Sequence, residues 1–112
     1  MSARLTSQVL VSSLIRRAEV AGGFGAVLAK GDATAGAVLL ILAERGTRNR
    51  LLERLLQPDG TYAWQSSGPA AADEADFAAW LARRRRTDPD LWLVELDVAA
   101  AAAFAAALNE VD

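Results

Sequence analysis

Residues 82–97 read ARRRRTDPDLWLVELD, and this stretch contains the end of a helix, a turn and a strand in direct succession. Before it, apolar residues recur at three- and four-residue spacing from Phe77 to Leu81, which indicates a helix. Asp88 precedes Pro89, and a residue in that position is steered away from helical backbone angles, so the helix ends there. The run LWLVELD then predicts a strand that returns to the sheet.

Four further strands are predicted before this helix. Residues 24–29 (FGAVLA) and 37–44 (AVLLILAE) are joined by the polar, glycine-bounded loop 30–36, which indicates a hairpin. The second of these runs is apolar without interruption, as in a strand covered on both sides. Residues 50–56 (RLLERLL) match a helical period, but their short length and the turn QPDG after them favour a strand, so both interpretations stay open. A last strand is predicted over 61–65, where aromatic residues alternate.

Helices are predicted at both ends of the chain. The first begins near Thr6 or Ser7, residue types that cap helices, and ends at a glycine pair. The segment VAAAAAFAAALNE after Asp97 is rich in alanine, the residue with the highest helix propensity, and Asp97 is its expected N-cap.

These elements predict one α+β domain over residues 1–112, in the order α-β-β-β-β-α-β-α. We expect an antiparallel meander with the helices on one face. We expect residues 1–97 to form the core of the domain and residues 98–112 to form an alanine-rich C-terminal helix.

Composition excludes several classes of chemistry. The chain has no histidine and no cysteine, which removes imidazole acid–base catalysis, Ser–His and Cys–His nucleophile pairs, disulfides and ordinary structural zinc sites. Its formal net charge is -2, so no global field attracts a polyanion or an acidic membrane surface. The apolar run 9–15 is interrupted by serines and followed by Arg16 and Arg17, as in an amphipathic helix and not a signal peptide. We expect a cytoplasmic protein without a membrane span.

The arginines 83–86 have two interpretations. Successive helical residues turn by about 100°, so Arg83, Arg84, Arg85 and Arg86 surround the helix instead of facing one phosphate backbone. They lie in the last turn, where positive charge suits the helix dipole, and we expect a solvated helix end. The alternative is a weak RNA or DNA contact through 83–86, with tryptophans as stacking platforms. The periodicity places Trp80 and Trp92 in the core instead.

Carboxylates supply the remaining candidate chemistry. Glu95 and Asp97 are two residues apart on a predicted strand, so they share a face at about 6 to 7 Å. Together with Asp32, Asp88 and Asp90 they suggest an enzyme or a magnesium site that uses carboxylates only, assisted by Lys30 or Tyr62. Glu95 on a solvated face and Asp97 as a helix cap explain the same residues.

The glycines at 31 and 36 have the spacing of a phosphate-binding P-loop. The lysine and the hydroxyl residue that should follow are replaced by Ala37 and Val38, so we expect a turn and no nucleotide site. The candidate ligand or partner surface comprises Gly31, Asp32, Arg84, Asp88, Asp90 and Glu95. No cofactor, metal ligand or catalytic residue is assigned.

Several stretches together resemble a known family: RLTSQVLVSSLIRRAEVAG, KGDATAGAVLL, QPDGTYAWQSSG and WLARRRRTDPDLWLVELD. Over roughly residues 4–97 the chain is similar to the bacterial family called domain of unknown function 1491. The resemblance implies a strand at 50–56 and a small bacterial protein without assigned activity. The alanine-rich tail departs from the pattern of that family.

The sequence therefore favours a non-enzymatic interaction or accessory module. We expect a protein partner and a homodimer, because Phe104, Leu108 and Val111 form an apolar ridge on the C-terminal helix that needs a partner surface. The carboxylate enzyme and the nucleic-acid contact remain as alternatives.

Overall fold

The computed structural model describes residues 5–68 and 74–110, and the elements follow the predicted order. They are α1 (Ser7–Val20), β1 (Phe24–Ala29), β2 (Val38–Glu44), β3 (Thr47–Leu56), β4 (Tyr62–Ser66), α2 (Glu74–Thr87), β5 (Trp92–Asp97) and α3 (Ala101–Leu108). The α+β class is confirmed. The segment 50–56 lies in β3, which settles the choice between strand and helix.

The strands form one five-stranded sheet in the order β1-β5-β2-β3-β4. The segments β2, β3 and β4 are the expected antiparallel meander. The predicted hairpin of β1 with β2 is wrong, because β5 lies between them, antiparallel to β1 and parallel to β2. β2 and β5 lie side by side inside the sheet and are largely buried, except for Glu44, Glu95 and Asp97.

Helices pack on both faces of the sheet, so the prediction that they share one face is wrong. One core layer joins α1 and α3 to Val38, Leu40 and Leu42 of β2; this is the α1–α3 face. The other core layer joins Phe77 and Leu81 of α2 to Leu39 and Ile41 of β2; this is the α2 face. All residues from 38 to 43 are buried, and a strand that is apolar on both sides needs a layer on each.

The start and end of α1 agree with the sequence. Thr6 is the N-cap, and its hydroxyl accepts a hydrogen bond from the Val9 amide at 3.3 Å. Gly22 follows the helix with φ +87°, a left-handed conformation that glycine adopts without strain. Val11, Leu14 and Ala18 form the buried side of the helix.

Asp97 does not cap α3, contrary to expectation. The N-cap is Ala100, and the amide of Ala101 donates to the Glu44 carboxylate at 2.7 Å. Asp97 accepts instead from the amides of Arg45 (3.0 Å) and Gly46 (2.7 Å), in the tight turn between β2 and β3. The parallel pairing of β2 with β5 explains this contact, because the last residues of the two strands lie side by side, with Ala43 next to Asp97.

The alanine-rich helix packs on its own sheet. Ala101 and Ala105 are buried, and Phe104 and Leu108 pack against the core of the α1–α3 face. The ridge proposed for dimerisation therefore has a partner surface within the chain, except for Val111, which lies outside the described residues. The homodimer stays a prediction, but this ridge no longer supports it.

Trp80 and Trp92, both predicted to lie in the core, are on opposite faces of the sheet. Trp92 is 3% exposed on the α1–α3 face, and its indole N–H donates to the Asp32 carbonyl at 2.7 Å. Trp80 is partly buried and packs on the α2 face. Trp92 is thus a core residue, whereas Trp80 lies at the margin of the core layer on the α2 face.

Candidate functional site

Four of the six candidate residues belong to one junction of two loops, residues 30–37 and 88–91, which we call the loop junction. The amide of Asp32 donates to the Asp90 carbonyl at 3.0 Å. The Asp32 carboxylate accepts from the amides of Thr34 (3.2 Å) and Ala35 (2.9 Å) within its own loop. The Asp88 carboxylate likewise accepts from the Asp90 amide at 3.2 Å. These carboxylates hold turns together.

The glycines of the loop junction allow the two loops to touch. A Cβ atom added at Gly31 would lie 2.1 Å from the Asp90 carbonyl oxygen, and one at Gly36 would lie 2.2 Å from the same atom. Such distances are far inside van der Waals contact, so only glycine fits at either place. The spacing that resembles a P-loop therefore reflects backbone packing against Asp90.

Arg84 lies elsewhere, in an ion pair between α2 and β3. Its guanidinium donates to both oxygens of Glu53, with Nη1 at 3.0 Å from Oε1, and Ser67 donates to Oε1 at 3.1 Å. The side chains are only 26% (Arg84) and 12% (Glu53) exposed. The hydrogen bonds from Arg84 lower the pKa of Glu53 against the opposing effect of burial, and Glu53 in turn raises the pKa of Arg84. This pair fastens α2 to the sheet.

The other arginines of the block match the solvated interpretation. Arg83, Arg85 and Arg86 are exposed. Arg84 also lies 5.8 Å from the centre of the Trp80 ring. The block is thus divided into one structural residue and three exposed ones, which do not form a continuous stripe.

Glu95 occupies a third place, near the opposite end of β5 from the loop junction. It forms a 3.0 Å ion pair with Arg48, and the two side chains are 27% and 31% exposed. The Arg48 guanidinium lies 5.3 Å from the centre of the Phe77 ring, on the α2 face. Glu95 is therefore partly buried and paired, in contrast to the solvated position that we expected.

The candidate residues do not converge on one site. Within residues 5–68 and 74–110, no group of three or more His, Cys, Asp or Glu side chains is arranged to hold a metal ion. In the same part of the chain no helix is long and apolar enough to cross a bilayer. The carboxylates of Asp32, Asp88 and Asp97 accept backbone hydrogen bonds, and that of Glu95 is paired with Arg48.

A pocket of about 470 Å³ lies beside the start of α1, and its lining includes Arg54 and Tyr62. A helix start attracts anions when its amides have no partners. Here the amides of Ser7 and Gln8 donate to the carbonyls of Thr34 (3.1 Å) and Ala33 (3.0 Å). Arg54 lies 4.8 Å from the centre of the Tyr62 ring. The first amides of α1 are thus bound to the adjacent loop and do not face the pocket as donors.

The two outer edges of the sheet differ in a way that the sequence did not reveal. On β4, the side chain of Asn109 accepts from the Trp64 amide at 2.7 Å and donates to the Trp64 carbonyl at 2.9 Å. An amide that bonds both backbone groups of one residue acts as a short neighbouring strand. The edge of β4 is therefore closed at its centre.

The outer edge of β1, here called the β1 edge, pairs with no strand of the described residues. Phe24, Val27 and Leu28 are 63%, 43% and 44% exposed. Within the described residues, no side chain forms a hydrogen bond to the backbone of residues 24–29. The strand FGAVLA also has no charged residue and no proline, the residues that usually protect a sheet edge.

Comparison with known proteins identifies the family. The family model described as "Protein of unknown function (DUF1491)" matches residues 5–106. The chain belongs to the DUF1491 family. The match continues past Asp97 into the α3 helix of this DUF1491 protein, beyond the range over which the sequence resemblance was found.

Two solved structures of similar sequence share this fold. A crystal structure of a DUF1491 family protein from Caulobacter crescentus CB15 is 37% identical, with a TM-score of 0.79, and covers 90% of this chain and 94% of that one. The solution structure of protein Atu0922 from A. tumefaciens is 31% identical, with a TM-score of 0.76, and covers 98% and 99%. No curated protein matches the chain.

Sequence reasoning missed the residues that organise the sheet edges and the ion pairs. Glu53, Arg48 and Asn109 have partners distant in sequence, so no local pattern indicates them. The β1 edge had one usable signal, which was the absence of charge from FGAVLA.

Proposed function

We propose that this protein is a non-enzymatic interaction module whose β1 edge binds a strand of a protein partner. The difference between the two sheet edges carries this proposal. Asn109 closes the edge of β4, whereas the β1 edge has no such bond from the described residues. An edge strand has a row of amides and carbonyls directed outward, and pairing with another strand satisfies them.

The side chains of β1 support a protein ligand. Three large apolar side chains on this six-residue strand are between 43% and 63% exposed, whereas the neighbouring strand β5 is largely buried. Val27 lies on the α1–α3 face and Phe24 on the α2 face, so exposed apolar side chains border the β1 edge on both faces of the sheet. A strand added at this edge would cover these side chains and complete the backbone pairing.

The candidate carboxylates support a module more than an enzyme. Those of Asp32 and Asp97 accept backbone hydrogen bonds, and that of Glu95 is bound to Arg48. A general acid or base needs a group directed at a substrate. We place the module in the cytoplasm, since a chain without cysteine fits a reducing compartment.

The test uses a matched pair of variants. Leu28→Lys adds a charge to the β1 edge, and Leu56→Lys adds the same charge at a leucine on β3 that is 62% exposed. Proteins captured by the wild-type chain from its source bacterium are purified, and their affinities for all three chains are measured by calorimetry. We expect a partner that binds Leu28→Lys at least tenfold more weakly than wild type and binds Leu56→Lys normally. Equal affinity for both variants would refute the β1 edge as the binding surface.

A further inference from the structure

We infer that the strand bound at the β1 edge is β1 of a second copy of this chain, in antiparallel orientation. This inference rests on the proposed function and names its partner. The two five-stranded sheets then form one continuous sheet across a twofold axis perpendicular to it. Three features of the strand and its surroundings favour a copy over an unrelated strand.

The first feature is charge. In an antiparallel pair of identical strands, every charge on one strand approaches the same kind of charge on its copy, so a charged edge strand repels itself. β1 has no charged residue, and a copy therefore meets no such repulsion. Phe24 and Leu28 lie near its two ends, so antiparallel pairing brings the Phe24 of each copy to the Leu28 of the other.

The second feature is a bulge that restricts the register. Residues that face each other across antiparallel strands lie on the same side of the sheet. Gly25 and Val27 oppose Leu96 and Val94, on the α1–α3 face, whereas Ala29 opposes Leu93, on the α2 face.

Pairing centred on Val27 would therefore oppose Gly25 with Ala29, on the wrong side of the sheet. Pairing centred on Ala26 opposes Gly25 with Val27, on the same side. The bulge between Val27 and Ala29 thus excludes the Val27 register. Among the registers that remain, we assign the one with Ala26 opposite itself, because it pairs the longest stretch of β1, residues 24–28.

The third feature is the position of α1, which packs over both β1 and β5. Gly25 lets it lie close, because an added Cβ would be 3.0 Å from Ile15. A helix above the pair β1–β5 lies about one strand spacing from the twofold axis, so the two α1 helices would be about 10 Å apart. Packed helices are separated by about 8 to 10 Å. The dimer would therefore be closed by a helix pair as well as by strand pairing.

The residues on that side of α1 suit an antiparallel helix pair. Gln8, Ser12 and Glu19 lie at helical spacing from Ile15 on the side of the helix next to β1. Antiparallel orientation brings the Gln8 end of one helix to the Glu19 end of the other, so a neutral donor meets a carboxylate. Ser12, near the middle, is small enough for close approach.

Sedimentation equilibrium between about 1 and 300 micromolar tests the dimer. We expect wild type and Leu56→Lys to dimerise with similar dissociation constants, and Leu28→Lys to associate at least twentyfold more weakly. Circular dichroism and urea denaturation check that each variant is folded. A wild-type monomer at 300 micromolar overturns the inference, as does a Leu28→Lys dimer of unchanged affinity.

A second variant tests the register. The chain has no cysteine, so Ala26→Cys introduces a single thiol. Under mild oxidation we expect Ala26→Cys to form a disulfide-linked dimer at least tenfold faster than Leu56→Cys at equal concentration. Equal rates would overturn the Ala26 register.

The two proposals fail differently. A monomeric wild type that still binds a purified partner through the β1 edge would refute the proposed dimer and agree with the proposed interaction module. A dimer with normal affinity in Leu28→Lys, together with a partner that also ignores this change, would refute both.

Discussion

Gly36→Ala tests whether the loop junction holds the fold together through backbone contact. Gly36 does not have a left-handed φ, so alanine fits its backbone and only the space for the methyl group is in question. That methyl would lie 2.2 Å from the Asp90 carbonyl oxygen and 3.0 Å from two backbone atoms of Asp32. Ordinary contact begins near 3.4 Å, so the loops must separate by about 1 Å.

The cost follows from the bonds that this separation stretches. The Asp32 amide donates to Asp90 at 3.0 Å, the Trp92 indole donates to Asp32 at 2.7 Å, and the Ser7 hydroxyl donates to Gly36 at 2.6 Å. Each such bond contributes about 0.5 to 1.5 kcal/mol net, and overpacking alone costs about 1 to 3 kcal/mol. We expect Gly36→Ala to lower the free energy of unfolding by about 2 to 4 kcal/mol.

Urea denaturation followed by tryptophan emission measures the change, since the Trp92 indole is part of the loop junction. Gly22→Ala is the control. A Cβ added at Gly22 meets no atom within 4 Å, but the φ there is +87°. This substitution should therefore lower the free energy of unfolding by only about 1 kcal/mol, through backbone strain. A Gly36→Ala protein within about 0.5 kcal/mol of wild type would show that the loops move apart freely. The packing explanation for this glycine would then be wrong.

Three further predictions concern the core and the α2 ion pair. Trp92→Ala should cost about 3 to 5 kcal/mol in urea denaturation and Trp80→Ala about half as much, because Trp80 is only partly buried; equal losses would contradict this assignment. Arg84→Ala should cost about 1 to 3 kcal/mol, since it leaves the Glu53 carboxylate, 12% exposed, without its cation, whereas Arg85→Ala should change stability by less than about 0.5 kcal/mol. Arg84 holds the pKa of Glu53 below 4.5, so the stability that this shift contributes is complete above that pH and is lost as the pH falls through the folded-state pKa. The difference in unfolding free energy between wild type and Glu53→Gln should therefore be constant from neutral pH down to 4.5 and shrink as the pH falls further, and a difference that stays constant in acid would argue against the ion pair.

The sequence by itself determined the local structure of this protein. Thr6 and Gly22 set the limits of α1, Pro89 marks the end of α2, and the apolar run 38–43 indicates a strand covered on both sides. Each of these signals acts on the backbone within a few residues, through capping, restricted dihedral angles or the alternation of side chains. Such effects can be read without knowing the rest of the chain.

Only the tertiary structure decided which strands are neighbours and which helix covers which face. Local patterning predicted that β1 pairs with β2, but β5 lies between them. β2 and β5 are largely buried inside the sheet, whereas β1 is largely exposed at its edge although it has no charged residue. That insertion places β1 at the edge of the sheet and brings Asp97 to the β2–β3 turn. The pairings of Glu53 with Arg84 and of Asn109 with Trp64 join residues 31 and 45 positions apart. These contacts depend on how the whole chain buries its apolar surface, and no short stretch of sequence contains that information.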